Sequence, residues 1–437
     1  MVIKKYIRYI CKAKVYFKIL KHALFIDRLN KIPKADVLLV CTDGDRSFIY
    51  EGKKYSPLLD SINEKLIKSG IITASLSLPI TEIKSNTAYG NVFSINSLIA
   101  RARIKDSLFR LINEKNHGRN NYLLIAWSKI IEKTQAKIII GIQPPSELCI
   151  AAKLKNICVN DLQHGILSNE GYYGLAYRKP YGQTGWPDYI LCWNESSAEW
   201  IHKNLDDFIG TKVIGHPWIS RFMNPSASDM LVNKYLSSFS YEKKSSQLII
   251  LISLQPAELL YSANHELGIP LELIKVIKES KGGCQWWIRI HPVMLHGERR
   301  FKTFASLNRE FENCSEVHWN QCTDLPLALV LQNVDLHITS SSAVTIEASW
   351  FGIKTALLSK NTDLLKTWLG KEIDNGTAEI IIPECKEINR WINSNSTKNI
   401  ALVRQKYVEK ESIDHFISSI IEDLYYKSNG NDRSSKS

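Results

Sequence analysis

The sequence contains no apolar run of the roughly 18–20 residues that a bilayer-spanning helix needs, and no secretory signal with a small-residue cleavage site. Its nine cysteines are odd in number, scattered from Cys11 to Cys385, and include no C-x-x-C pair. That argues against a disulfide framework or a zinc site and fits a reducing cytoplasm. There is no G-x-x-x-x-G-K-[ST] and no G-x-G-x-x-G after the first strand, which disfavours P-loop enzymes and ordinary dehydrogenases. Without an H-E-x-x-H or a cysteine–histidine cluster, neither a metal nor a cofactor is expected.

What is present is globular: 437 residues, 44% hydrophobic and 23% charged, too long for one core and suited to two domains. The net charge of +12 is local, because residues 1–34 carry ten Lys/Arg against the single acid Asp27. In the same stretch Ile3, Tyr6, Ile7, Ile10, Tyr16, Phe17, Leu20, Ala23, Leu24 and Phe25 recur at near-helical spacing between the lysines. A basic helix with such a face fits an anionic membrane surface. A first helix packed on the core with a solvated lysine face fits the same pattern. Nucleic acid is not an expected partner, since no aromatic-rich basic sheet or recognition-helix pattern follows.

From Ala35 onward short buried strands alternate with amphipathic helices: strands near 35–40, 71–76, 137–141, 157–162 and 187–193, with helices at 56–69, 94–134, 146–155 and 196–205 between them. This order predicts parallel pairing in a doubly wound α/β sheet over 35–217. Residues 218–246 are polar and interrupted by Asn224-Pro225-Ser226, and read as an irregular hinge. The alternation restarts over 247–426, and 427–437 reads as a disordered tail. Two Rossmann-like halves facing a cleft are expected, with ligands beyond the carboxyl ends of the strands.

The chemistry-bearing motifs fall at those ends. Arg289-Ile290-His291-Pro292 closes a buried strand, and Pro292 turns the chain so that His291 is presented at its end. Ser340-Ser341-Ser342 lies between a strand and a helix, where hydroxyls and free N–H groups favour a phosphate; simple N-capping explains serine there too. Glu347 lies one turn further on, within reach of a ribose hydroxyl or merely exposed. In the first half Gln163-His164-Gly165 ends a strand, followed by Tyr172 and Tyr173 in a loop able to line an acceptor. His164 suits a general base, or a turn-capping structural histidine. Asp43, in Asp43-Gly44-Asp45-Arg46, is a second candidate base, although Asp and Gly are ordinary turn residues.

Taken in order, Gln-His-Gly, Arg-Ile-His-Pro and the triple serine with Glu347 resemble GT-B glycosyltransferases using cytidine-nucleotide donors. These are the bacterial sialyltransferases and polysialyltransferases, the Kdo transferases of capsule synthesis and the CDP-glycerol polymerases. The resemblance implies a donor site of Arg289, His291, Pro292, Ser340, Ser341, Ser342 and Glu347, and an acceptor side of Gln163, Tyr172 and Tyr173. It makes His164, by likeness to the CDP-glycerol enzymes, or Asp43, by a looser likeness to sialyltransferases, the base. Asp43-Gly44 lacks the first acid of the sialyltransferase motif. The function implied is a metal-independent sugar transfer, CMP-sialic acid leading, to a lipid-linked oligosaccharide at the cytoplasmic face of the inner membrane. The product would be O-antigen, lipooligosaccharide or capsule. CDP-glycerol-type polyol-phosphate transfer, Kdo transfer, UDP-sugar transfer and a non-enzymatic membrane-surface scaffold are the alternatives.

Overall fold

The computed structural model describes residues 17, 19–25, 31–112, 121–167, 182–205, 209–239, 247–256, 266–280, 282–295, 297–360, 362–396 and 413–428. Two compact units result, Met1–Pro217 with Glu411–Ser437, and Trp218–Lys410.

The first unit carries β1 (Val37–Cys41), the hairpin β2 (Phe48–Tyr50) and β3 (Lys53–Tyr55), then β4 (Thr73–Ser77), β5 (Phe93–Ser94), β6 (Ile138–Gly141), β7 (Cys158–Leu162), β8 (Tyr189–Cys192) and β9 (Gly210–Val213). Apart from the antiparallel hairpin these form one parallel sheet, in the order β5-β4-β1-β6-β7-β8-β9. Its helices are α1 (Leu59–Lys68), α2 (Asn96–Ile112), α3 (Asn121–Thr134), α4 (Ser146–Lys153) and α5 (Glu195–Asn204). The central strand, Val-Leu-Leu-Val-Cys, is buried throughout, as a strand covered on both faces must be. Strand alternation divides its side chains. Leu38 and Val40 pack with Trp127, Ile130 and Ile131 of α3, while Val37, Leu39 and Cys41 meet Leu59, Ile62 and Leu66 of α1.

The second unit begins with α6 (Ile219–Met223) and α7 (Met230–Ser238), where an irregular hinge was expected. The polar composition of 218–246 hid an amphipathic pattern: Trp218, Ile219, Phe222, Leu231 and Val232 are buried. Asn224-Pro225 only separates the two helices. Asp229 caps α7 by accepting the Val232 N–H at 3.1 Å and holds Arg221 through two bonds of 2.7 and 2.8 Å.

The parallel sheet that follows contains β10 (Leu248–Ser253), β11 (Cys284–Arg289), β12 (Val317–His318), β13 (Leu336–Thr339), β14 (Lys354–Leu358) and β15 (Ala378–Ile381). Their order is β12-β11-β10-β13-β14-β15. Its helices are α8 (Leu271–Glu279), α9 (Gly297–Phe311), α10 (Asn320–Asp324), α11 (Leu327–Gln332), α12 (Val344–Trp350), α13 (Thr362–Asp374) and α14 (Cys385–Asn395). Ile250, Ile252, Trp286, Ile288 and Ile338 join Leu273, Ile277, Phe311 and Trp391 in one core.

The last helix, α15 (Ile413–Ser428), returns to the first unit. Ile413, Phe416, Ile417 and Ile420 complete the core on the α1 face of the first sheet, and Asp414 pairs with Lys65 at 2.6 Å. The helix runs through Lys427 and Ser428, the first residues of the expected disordered tail; the rest of that tail, 429–437, lies outside the described residues.

Candidate functional site

In each sheet the strand order reverses beside the first strand, between β1 and β6 and again between β10 and β13. Crevices at such switch points hold ligands.

In the first unit the turn after β1 is held from three directions. The Asp43 carboxylate accepts from the Thr81 hydroxyl and, at 2.8 Å, from the Glu82 N–H. Asp45 Oδ2 accepts both the N–H and the hydroxyl of Thr42, at 2.9 and 2.7 Å. The Arg46 guanidinium is fully buried and donates to Asp60 Oδ2 at 2.7 Å. Both oxygens of Asp43 are thus engaged in fixing the Thr81–Glu82 segment, the ordinary role for a turn aspartate.

His164 follows β7 and is half-buried. Burial lowers its pKa and keeps the ring neutral, while the negative charge of Asp45 opposes that shift. Gln163 departs from its expected acceptor-facing position. It is buried, its Oε1 accepts the Trp193 N–H at 2.9 Å, and its Nε2 donates to the Gly165 carbonyl at 3.0 Å. Its amide fixes the turn that carries His164. Between β1 and β7, β6 ends in Gly141, where a Cβ would approach the Val40 side chain to 2.6 Å. Glycine is needed there for close packing. Tyr172 and Tyr173 lie outside the described residues.

In the second unit Arg289 ends β11 and donates Nη1 to the carbonyls of Cys322 and Leu325, at 2.6 and 2.8 Å. Glu347, on α12, is half-buried; desolvation pushes its carboxyl up to about 7, against the pull of Arg289. The Arg289 guanidinium is in turn lowered to about 10 by burial, with Glu347 opposing. Arg289 is therefore a brace and a charge partner for Glu347.

His291 Nδ1 accepts the Val293 N–H at 3.2 Å, and its carbonyl accepts the Met294 N–H at 2.8 Å. Burial lowers its pKa, so the ring is neutral and, with Nδ1 accepting, Nε2 carries the hydrogen. Pro292 is exposed and opens a short 3-10 turn. The three serines separate. Ser340 is buried and donates to the Gly268 carbonyl at 3.1 Å; Ser342 is buried and accepts the Val344 N–H at 3.3 Å; Ser341 alone is half-buried. Three outward hydroxyls were expected, but the first braces a loop and the last accepts the first N–H of α12.

Of the basic N-terminal segment, residues 19–23 are helical. Ile19 is buried, and Arg101 of α2 donates to the carbonyls of Ala23 and Phe25 at 2.9 and 2.8 Å. Phe17, Leu20, Leu24 and Phe25 are exposed, at 72, 55, 84 and 57%. Among the described residues no helix is long and apolar enough to cross a membrane, and no group of three or more His, Cys, Asp or Glu is placed to hold a metal ion.

No protein-family model matches the sequence, and no curated protein matches it. Solved structures do. The wall teichoic acid polymerase TagF aligns over 97% of this chain and 97% of its own, at a TM-score of 0.55 and 13% identity. The UDP-GlcNAc 2-epimerase from Neisseria meningitidis, bound to UDP-GlcNAc, aligns over 90% of this chain and 99% of its own, at 0.56 and 12%. The epimerase from Methanocaldococcus jannaschii aligns over 89% and 99%, at 0.53 and 13%. At such identities the likeness is one of architecture: the chain has the two-unit fold of GT-B proteins, two Rossmann-like all-parallel α/β units in series.

Proposed function

We propose that the protein is a glycosyltransferase that moves a sugar from a nucleotide-activated donor to a lipid-linked oligosaccharide in bacterial surface-polysaccharide synthesis. The observation that carries this reading is a neutral histidine at the C-terminal end of a strand in each unit of a GT-B fold. His164 takes the proton of the acceptor hydroxyl. His291 donates its Nε2–H to a donor phosphate oxygen, aided by the half-buried Ser341, and Glu347 meets the ribose. These donors serve the departing nucleotide without a divalent ion, so chelation by EDTA is expected to leave the rate unchanged.

The donor is taken as a cytidine nucleotide, CMP-sialic acid first, on the resemblance of the His-Pro and serine motifs. A UDP-sugar is the second reading, favoured by the UDP-GlcNAc bound to the neisserial epimerase of like fold. A thermal-shift series with CMP, CDP, UDP and GDP separates them. Stabilisation by CMP alone supports the first, stabilisation by UDP alone the second, and none by any nucleotide removes the transferase reading.

The enzyme is proposed to work from the cytoplasmic face of the inner membrane as a peripheral protein. Phe17, Leu20 and Leu24 form one exposed stripe at helical spacing, beside a segment whose net charge is +9 over residues 1–34. Lipid takes up the apolar stripe while anionic headgroups attract the lysines.

A further inference from the structure

We propose that Thr323 is a positioning residue for His291, its hydroxyl fixing the backbone of Ile290 and through it the direction of the imidazole Nε2–H. The consequence for nucleotide binding rests on the reading of His291 as the donor-phosphate contact. The geometry that Thr323 sets does not.

The end of β11 runs past its outer neighbour. β11 pairs with β12 only at Trp286 and Trp287, whereas its pairing with β10 continues to Arg289. On the β12 side Trp286 donates its N–H to the Glu316 carbonyl at 2.8 Å. Strand N–H groups return to the same side at every second residue, so the Ile290 N–H also points that way, where β12 has already ended at His318. Ile290 is buried, and a buried N–H requires a partner. Thr323 of α10 supplies it: Oγ1 accepts the Ile290 N–H at 3.1 Å, from 33 positions away in sequence. On the other side the Arg289 carbonyl accepts the Leu254 N–H at 2.9 Å, one residue past the end of β10.

The corner that carries Thr323 is held by the same strand end. In a continuing helix the Cys322 carbonyl would accept from the residue four positions on, but that residue is Pro326, which has no N–H. Arg289 Nη1 takes its place, and bonds the Leu325 carbonyl as well. Two adjacent residues of β11 and its extension thus make three bonds to Cys322, Thr323 and Leu325. His291 begins where this frame ends. Beyond it, Pro292 and Val293 are exposed, so water competes for the Val293 N–H that reaches Nδ1 at 3.2 Å. That bond selects which ring nitrogen carries the hydrogen, and the backbone before the ring selects where the hydrogen points. Thr323 is the side chain of the frame that can be altered without removing a charge.

Histidine-selective 15N labelling of the full-length protein reads the ring directly, with the His291 signals assigned by their absence in His291→Ala. Above the pH at which the ring is protonated, its two nitrogens should be well separated in the wild type, as one tautomer requires. Thr323→Val keeps the shape and removes the acceptor. It should bring the two signals together as the Val293 bond loosens and both tautomers become populated, and Thr323→Ser should restore the wild-type pattern. Calorimetric titration with CMP and with UDP reads the consequence. Thr323→Val is expected to weaken whichever of them the wild type binds by roughly threefold to tenfold, the scale of one misaligned hydrogen bond. In a His291→Ala background it should do nothing further, because a residue that acts through the ring has no effect without it. Should Thr323→Val fail to fold, Thr323→Ala, which removes the hydroxyl without placing a methyl against the amide, is read in its place. Unmoved His291 signals in a folded variant overturn the proposal, as does an equal loss of affinity with and without His291. Moved signals in a protein whose wild type binds neither nucleotide keep the positioning role and overturn the donor reading of His291.

Discussion

Among the described residues five histidines have pKa values lowered by burial, and, beside His318 on the edge strand β12, the other four divide into two kinds by what their rings touch. His337 is sealed in the second sheet, Nδ1 facing the Thr355 hydroxyl and Nε2 the Ser253 hydroxyl, both at 3.0 Å. His216 is buried against Trp193, ring centroids 4.5 Å apart. Burial pulls both down to about 3. The unfolded chain takes up these protons near pH 6.5, whereas the folded chain resists until about pH 3. Their contribution to stability is therefore complete above pH 6.5 and is lost as the pH falls from 6.5 toward 3. Within that window each histidine gives a slope of about 1.4 kcal/mol per pH unit. Urea unfolding at pH 7, 6 and 5 should show this loss, and His337→Asn should flatten the slope of the second unit only. His164 and His291 are the other kind, half-buried at strand ends. His291→Ala is expected to weaken nucleotide binding at least tenfold. His164→Ala should bind nucleotide normally and lose transfer by a factor of about 100 or more, as removal of a general base does. Calorimetric titration of the nucleotide beside a transfer assay reads both. Equal binding losses in the two variants would remove the division of labour.

At the scale of elements, the exposed stripe Phe17, Leu20 and Leu24 can be separated from the anchored side of the same segment. Replacing all three with serine should greatly reduce sedimentation with anionic vesicles while leaving the melting temperature unchanged, because none of them is buried in the protein. Ile19→Ser should instead lower the melting temperature. Elements are also where the sequence was most and least legible. The short, almost wholly apolar runs Val37–Cys41, Ile138–Gly141 and Leu248–Ser253 were readable as strands because burial on both faces leaves little room for polar residues. The hairpin β2–β3 and the edge strand β15 were missed, being short and carrying Lys53, Lys54 and Glu379. Strand ends were legible, and His164 and His291 do follow strands, but the duties of the residues around them were not. Whether Gln163, Asp43 or Ser340 faces outward is decided by Trp193, Thr81 and Gly268, residues 30, 38 and 72 positions away. No local pattern records such partners.

For the whole molecule, the return of α15 is the feature with the widest effect. Phe416 and its neighbours are part of the same core as Val37, Leu39 and Leu59. Phe416→Ala should cost about 3–5 kcal/mol, a large share of a typical domain's stability. Asp414→Ala should change little, because the pair with Lys65 is exposed. Denaturation followed separately in the two units should assign the Phe416 loss to the first. The chain leaves the first unit at Pro217 and rejoins it at Glu411. On the ribosome, the part translated earliest is consequently finished late, its sheet covered by α1 on that face but lacking Phe416 and its neighbours until residues 413–420 have been made. The middle of the polypeptide has all of its own strands by then. A premature stop shortly after Lys410 would therefore produce a protein whose defect lies in the half made first, exposed to proteases and to aggregation through a face left only partly covered.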